Sequence, residues 1–260
     1  MRLGEARNLQ TISAFHRFKT GIPELDEALY GGIPAKLTVA ALNDPENDVS
    51  TFCQQFTWQG LQDNECCVYF TYDHHPEIVR KNMLRLGWDT TQYEERMDFI
   101  LFDCYSARIG ERGEGKYWLE RPFETAKLLG MARVMERELS ILKKNRPIRV
   151  ILDSFTPLME VLGFIDTLRF VFRLQGLAKK GNYMGLGIVH KGIHGTANEF
   201  GVKHASEGVI EFSTRLERQK LKQFIRVSKM SLTQFSMVEM PYIMTPNGIK
   251  VLKGSSATYI

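Results

Sequence analysis

"LTVAALNDPENDVSTFCQQF", Leu37–Phe56, runs from an apolar stretch through a polar turn into an amphipathic one. Leu37–Leu42 is the pattern of a strand buried on both faces. Phe52 and Phe56 stand one helical turn apart in the following segment, Ser50–Gln62, which reads as a helix. Strand, tight loop and helix in this order hold a phosphate in many proteins, through a glycine-rich loop carrying a lysine. Here the loop has neither glycine nor lysine, and it carries three carboxylates, Asp44, Glu46 and Asp48.

Outward from that unit the alternation continues. Cys66–Tyr72 is aromatic and β-branched, as a strand requires. Pro76 can open a helix and Gly87 close it. Phe99–Phe102 is a third strand, and the glycine-rich, charged Ser106–Arg121 reads as a surface excursion. Phe123, Ala126, Leu129, Ala132, Met135 and Leu139 predict a long helix over about Pro122–Lys144. Arg149–Leu152 is a fourth strand, Ile165–Lys179 another helix, and Gly187–His190 the end of a fifth strand. Then consecutive strands follow at Gly208–Ser213, Gln223–Val227, Met240–Met244 and Ile249–Leu252. Alternating strands and helices followed by strands alone predict an α/β fold, a mostly parallel sheet with an antiparallel extension.

The chain has 260 residues, 43% hydrophobic and 25% charged, with a formal net charge of +4. That is ordinary globular composition, and no apolar run reaches the roughly 18 residues that span a bilayer. The opening MRLGEARNLQTISAF has no apolar leader core. Cys53, Cys66, Cys67 and Cys104 form no C-x-x-C pair and read as reduced core residues of a cytoplasmic protein. The mild positive charge permits nucleic-acid contact without arguing for it. No repeat and no long linker divide the chain.

"TGIPELDEALYGGIP" (Thr20–Pro34) closely resembles the run that precedes the phosphate loop in the KaiC/RadA branch of the RecA-like ATPases. "RVILDSFTPL" (Arg149–Leu158) is similar to the Walker B strand of that family. "HASEGVIEF" (His204–Phe212), "RVSKM" (Arg226–Met230) and "IMTPNGIKV" (Ile243–Val251) resemble its later strands. The resemblance implies a RecA-like P-loop core over residues 18–252, between an N-terminal extension, 1–17, and a C-terminal tail, 253–260. It also implies ATP and Mg²⁺ as the family's ligands, so each position is read separately, because a fold does not carry its function with it.

In G-x-x-x-x-G-K-[ST], glycines let backbone N–H groups curl around phosphates, lysine neutralises charge and the hydroxyl holds Mg²⁺. Anchored on Thr51-Phe52, the first glycine falls on Asn43, the second on Asp48, the lysine on Val49 and the hydroxyl on Ser50. Only Ser50 keeps a suitable group, and Pro45 removes one N–H donor. The helix start near Val49 has unpaired N–H groups and a partial positive end. Asp48 is expected to cap it, accepting from Ser50 or Thr51.

At the position where family members carry the acids that polarise water, this chain has Asp73-His74. Asp73 keeps an acid. A joint metal site of Asp73, His74 and His75 is awkward, because adjacent residues on extended chain point to opposite faces. Asp153 matches the Walker B aspartate, and it is expected to accept a hydrogen bond from Ser50 or nearby backbone. Lys229 remains in the segment that carries a trans-acting arginine in KaiC-type proteins, but the arginine position is Ser231. Cradle, acid and cation are altered together.

Two basic stretches complete the inventory. His190–His204 corresponds to the channel-lining region of RecA-like rings and reads as a loop, with phosphate contact as an alternative. Arg112–Trp118 sets Tyr117 and Trp118 beside basic groups, as an aromatic anchor for a loop or a base-stacking pair. Leu9, Ile12 and Phe15 form a short apolar stripe suited to packing on this domain or on a neighbour. The expectation is a RecA/KaiC-like protein without ATPase activity, catalytic residues, metal or cofactor, serving as a protein-interaction, regulatory or scaffolding module, with a protein partner or in a homo- or hetero-oligomer with a RecA/KaiC-like relative. The alternatives are a divergent nucleotide-binding ATPase using Asp73, Asp153 and Ser50, and a DNA-binding protein of recombination or repair.

Overall fold

Val39 and Ala41 point to one side of the first long strand, and Ala40 and Leu42 to the other, all buried. A strand with two apolar faces has to lie between two layers. The computed structural model of the chain supplies both, and it describes residues 16–113, 117–121, 146–181 and 183–252. The expected helix over Pro122–Lys144, the Leu9–Phe15 stripe and the tail 253–260 lie outside the described residues.

The strands, in chain order, are β1 (Arg17–Phe18), β2 (Ile33–Pro34), β3 (Thr38–Asn43), β4 (Cys66–Thr71), β5 (Phe99–Asp103), β6 (Ile148–Asp153), β7 (Tyr183–His190), β8 (Gly208–Glu217), β9 (Lys220–Met230), β10 (Met240–Thr245) and β11 (Gly248–Val251). The described helices are α1 (Pro23–Ala28), α2 (Val49–Gln62), α3 (Pro76–Arg85), α4 (Thr91–Glu95), α5 (Tyr105–Arg108), α6 (Thr156–Leu162), α7 (Phe164–Lys180) and α8 (Thr196–Ala205). β1 and β2 pair in a small sheet of their own, and the others form a nine-stranded sheet in the order β11-β10-β9-β8-β3-β7-β6-β4-β5.

From β8 across to β5 the neighbours are parallel, and from β8 outward to β11 they are antiparallel. The protein therefore has the α/β architecture its sequence predicts, a mostly parallel sheet with antiparallel C-terminal strands. Phe52 and Phe56 of α2 and Val79 and Met83 of α3 pack on one face with Val39, Ala41 and Ile151. Leu158 of α6 and Phe170 and Leu174 of α7 pack on the other with Ala40, Leu42 and Val150.

Two stretches differ from the sequence expectation. The second half of His190–His204 is not a loop but helix α8, with Lys203 and His204 in its last turn, where cations suit the negative helix end. Its low apolar content hides it, since Val202 is its one buried residue. The Ser106–Arg121 excursion begins as α5 and returns to the sheet edge. Asp103 N donates to Tyr117 O at 2.9 Å and Leu119 N to Asp103 O at 3.1 Å. Tyr117 packs edge-on against Phe102 at 5.4 Å, so it anchors the excursion to the core.

An unusual anchor lies at the opposite end of the sheet from the carboxyl ends of the parallel strands. Arg149 is fully buried at the start of β6 and is paired with Glu65. Its Nη1 donates to Lys19 O at 2.7 Å and Phe56 O at 2.6 Å, and its guanidinium lies 4.1 Å from the Phe56 ring centre. A Cβ on Gly60 would collide with that guanidinium, which explains a glycine inside α2.

Candidate functional site

In a parallel sheet all strands end on the same side, and ligands of open α/β sheets bind outside those carboxyl ends. Here β3 delivers Asn43, β4 delivers Asp73 and His74 just past Thr71, β6 delivers Asp153, and β7 delivers His190 and Lys191.

The loop from Asn43 to Ser50 is held from within and from both sides. Asn43 is buried, and its Nδ2 donates to Asp44 O at 3.2 Å. Asp44 turns sideways. Its Oδ2 accepts the Thr214 N–H of β8 at 2.8 Å, and its Oδ1 lies 2.7 Å from Lys191 Nζ at the end of β7. Asn47 Oδ1 accepts from Thr214 Oγ1 at 3.2 Å and from Tyr242 OH of β10 at 2.8 Å. Glu46 is exposed, and its carbonyl accepts from Gln223 Nε2 of β9 at 3.5 Å.

Asp48 caps α2. Its Oδ1 accepts the Thr51 N–H at 3.1 Å and its Oδ2 accepts from Thr51 Oγ1 at 2.7 Å. Val49, at the lysine position of the motif, is buried as the first residue of the helix. Ser50 Oγ donates to Asp153 Oδ1 at 3.1 Å, while Tyr69 OH donates to Asp153 Oδ2 at 2.7 Å. Asp153 is thus fully buried between two hydroxyl donors. Burial first, and the Asp153 charge next, push the Tyr69 phenol well above its ordinary range, so it stays a donor.

His74 and His75 diverge. His74 Nδ1 stands 3.7 Å from Asp153 Oδ2, a charge contact longer than a hydrogen bond. Asp153 raises the His74 pKa, against the opposing effect of burial. His75 Nδ1 instead accepts the Glu77 N–H at 3.3 Å and caps α3. Asp73 Oδ2 faces His190 Nε2 at 3.3 Å, and its Oδ1 lies 3.5 Å from Arg108 Nη1. Burial alone would raise the Asp73 pKa, but hydrogen bonds from His190 and Ser154 outweigh it and hold the carboxyl below its usual value. Arg108 continues to Glu160 of α6 at 3.3 Å.

Lys229 Nζ donates to Lys203 O at 3.3 Å, His204 O at 3.1 Å and Ser206 O at 2.5 Å. It closes the carboxyl end of α8. Among the described residues no group of three or more His, Cys, Asp or Glu side chains could hold a metal ion.

The family model described as "ATPase: KaiC" matches residues 18–256. The chain belongs to the KaiC ATPase family. It is similar to the UPF0273 protein of Methanopyrus kandleri, 33% identical over 249 residues that cover 92% of this chain and 92% of that one. The UPF0273 protein of Thermotoga maritima is 31% identical over 239 residues, 90% of this chain and 95% of that one. The crystal structure of a KaiC-like protein from the hyperthermophilic archaeon Pyrococcus horikoshii matches with a TM-score of 0.73 at 22% identity, covering 92% of this chain and 99% of that one. At that identity the likeness concerns the RecA-like fold. Among the described residues no helix is long and apolar enough to cross a membrane.

The structure brings Ser50, Asp153 and His74 together, and Asp73 lies beside them, its N–H donating to Asp153 O at 3.2 Å while its carboxylate turns to His190 and Arg108. Asp44 and Asn47 point away from that group, toward β8 and β10. Sequence reasoning read Lys191 only within the basic His190–His204 stretch, not as the partner of Asp44, and did not find Thr214, Tyr69, Tyr242 or Arg108. Lys191 carried one usable signal, a cation at the carboxyl end of a parallel strand. The others become partners only through strand order, which no local pattern encodes.

Proposed function

We propose that this KaiC-family chain does not hydrolyse ATP at its phosphate-loop position and works as a regulatory or scaffolding module for a protein partner. One observation carries the proposal: the Asp48 carboxylate occupies the first turn of α2, the helix end at which a phosphate loop grips its anion. Its charge complements that helix end, and its hydrogen bond takes the Thr51 N–H there.

A magnesium triphosphate does not fit these residues. The loop has no lysine to neutralise phosphate charge, and Val49 in its place is buried. Two like charges about 4 Å apart repel by about 4 kcal/mol at an effective dielectric of about 20, and the loop offers Asp44, Glu46 and Asp48. Lys191, a cation at the loop, is paired with Asp44. Lys229 faces backbone carbonyls of its own chain. The fold remains, which favours a role in association.

The test is titration calorimetry of the whole chain with ATP and Mg²⁺. No heat of binding up to millimolar nucleotide is expected, and micromolar affinity overturns the proposal. Copurification from native extract then identifies what the chain binds. A second reading, a divergent nucleotide-binding ATPase, draws on the Ser50–Asp153 pair. It requires phosphate release that Asp153→Asn abolishes, and a flat assay with several nucleotides removes it.

A further inference from the structure

β8 and β9 run beyond the rest of the sheet. β3 pairs with β8 only from Gly208 to Phe212, and β10 pairs with β9 only from Gln223 to Ile225. Past those points the two strands pair with each other alone, through Leu216↔Leu221 to Glu217↔Lys220. The result is a free two-stranded arm over Arg215–Lys222, closed by a tight turn in which Arg218 and Gln219 take φ of 47° and 63°.

The arm reads RLERQKLK. Four cations, Arg215, Arg218, Lys220 and Lys222, against Glu217 give +3, where the entire chain carries +4. Arg215 pairs with Glu239, and Lys222 with Glu217 at 2.7 Å. Arg218 and Lys220 are exposed at the tip and make no ion pair among the described residues. Leu216 and Leu221 face each other just behind the tip, 71% and 66% exposed.

The base of the arm is braced by the altered loop. Thr214 is held by Asp44 and Asn47, and Gln223 by the Glu46 carbonyl. Loop residues that would cradle phosphate in a phosphate-loop motif are here committed to fixing the direction of a cationic ribbon.

We propose that the β8–β9 arm docks on the phosphate backbone of double-stranded nucleic acid. A two-stranded ribbon fits a major groove about 12 Å wide, and β-ribbons are known to read grooves in this way. The Arg218–Gln219–Lys220 turn enters first, with an arginine and an amide able to meet phosphates and base edges. The leucines follow and make apolar contact with the groove wall.

Other polyanions fit less well. A lipid surface would bury the polar turn before the leucines behind it reached hydrocarbon, at the cost of desolvating charges. Single strands are gripped by stacking on aromatic rings. The aromatic ring at the arm's base, Phe224, has the Arg215 guanidinium over it at 5.2 Å. This inference does not depend on whether the loop binds nucleotide.

The experiment is fluorescence anisotropy of the full chain with a short mixed-sequence duplex DNA across a salt series. The expected dissociation constant is roughly 10⁻⁴ to 10⁻⁶ M at physiological salt and tighter at low salt, with a log–log salt slope of about −2 to −4. Arg218→Glu with Lys220→Glu should weaken binding at least about tenfold and make the slope shallower by about 2. Both side chains are exposed, so thermal unfolding should match the parent. If that variant does not fold, the neutral pair Arg218→Gln and Lys220→Gln takes its place. No binding at low salt overturns the proposal, as does binding that ignores both substitutions. Binding to phosphatidylserine vesicles or to an acidic polypeptide, with duplex DNA left free, overturns it as well.

Discussion

Asp44 and Lys191 form a 2.7 Å ion pair that ties the turn after β3 to the turn after β7. The same carboxylate accepts the Thr214 N–H of β8. β3 lies between β7 and β8 in the sheet, so one side chain fastens its loop to both neighbours. Replacing Asp44 with alanine leaves Lys191 without its partner and the Thr214 N–H without its acceptor. A loss of about 1–2 kcal/mol is expected, since the pair is partly exposed but the lost hydrogen bond was to a charge. Amide exchange at Thr214 should quicken more than at Phe212. Unchanged exchange at Thr214 would show that the loop is held by other means.

Asp48 is a side-chain cap with two acceptor contacts to Thr51. Asp48→Ala should cost about 1 kcal/mol, and Asp48→Asn clearly less, because asparagine also caps. For a domain of this size that is a fall in melting temperature of roughly 2–4 °C. A variant with parental stability would show that the carboxylate is not needed at the helix end.

Arg149 and Glu65 are both buried. Removing one partner of such a pair strands the other charge, so Arg149→Ala should destabilise by about 3–5 kcal/mol. Gly60→Ala should also destabilise, by displacing the guanidinium. Denaturant unfolding of the two single variants and the double variant checks both. Combined losses that simply add would contradict the collision, because without the arginine there is nothing for the new methyl group to strike.

Glu211 of β8 is surrounded by donors: Lys203 Nζ at 2.7 Å, Arg226 Nη2 at 2.8 Å and Ser228 Oγ at 3.1 Å. Burial pushes its pKa up, but Lys203 and Arg226 dominate and hold it down at about 2. A carboxyl depressed in the folded state stabilises above its unfolded pKa, and the benefit fades as pH falls from about 4.5 toward 2. After allowance for solvent screening the contribution is on the order of 2 kcal/mol. Glu211→Gln should therefore lower stability at neutral pH and flatten the acid limb of the stability curve. Parallel acid limbs in the parent and the variant would disprove the linkage.

His74 has the opposite sign. Its pKa is raised by Asp153, so the charged imidazole favours the folded state at acid pH, and the benefit is lost as pH rises through the folded pKa, above 6.5. Asp153→Asn should bring the His74 titration, followed by NMR of the ring protons, back toward its ordinary value. A midpoint unmoved by that substitution would sever the link between the two residues.

The fold class was legible in the chain alone. Leu37–Leu42 and Arg149–Leu152 are short apolar runs that have to lie between two layers, and the consecutive strands after His204 left no room for crossover helices. The sequence also showed the chemistry missing from the loop, because glycine and lysine are either present or absent, and it anticipated Asp48 as a cap, since capping is local. Helix α8 escaped because it buries almost nothing, and periodicity reports buried faces. Where Asp44, Asn47 and Arg149 point depends on the folded chain. Their partners Lys191, Thr214, Tyr242 and Glu65 are distant in the chain and reach them through strand order and packing, so the destination of a polar side chain is fixed by the assembled sheet rather than by its neighbours in sequence.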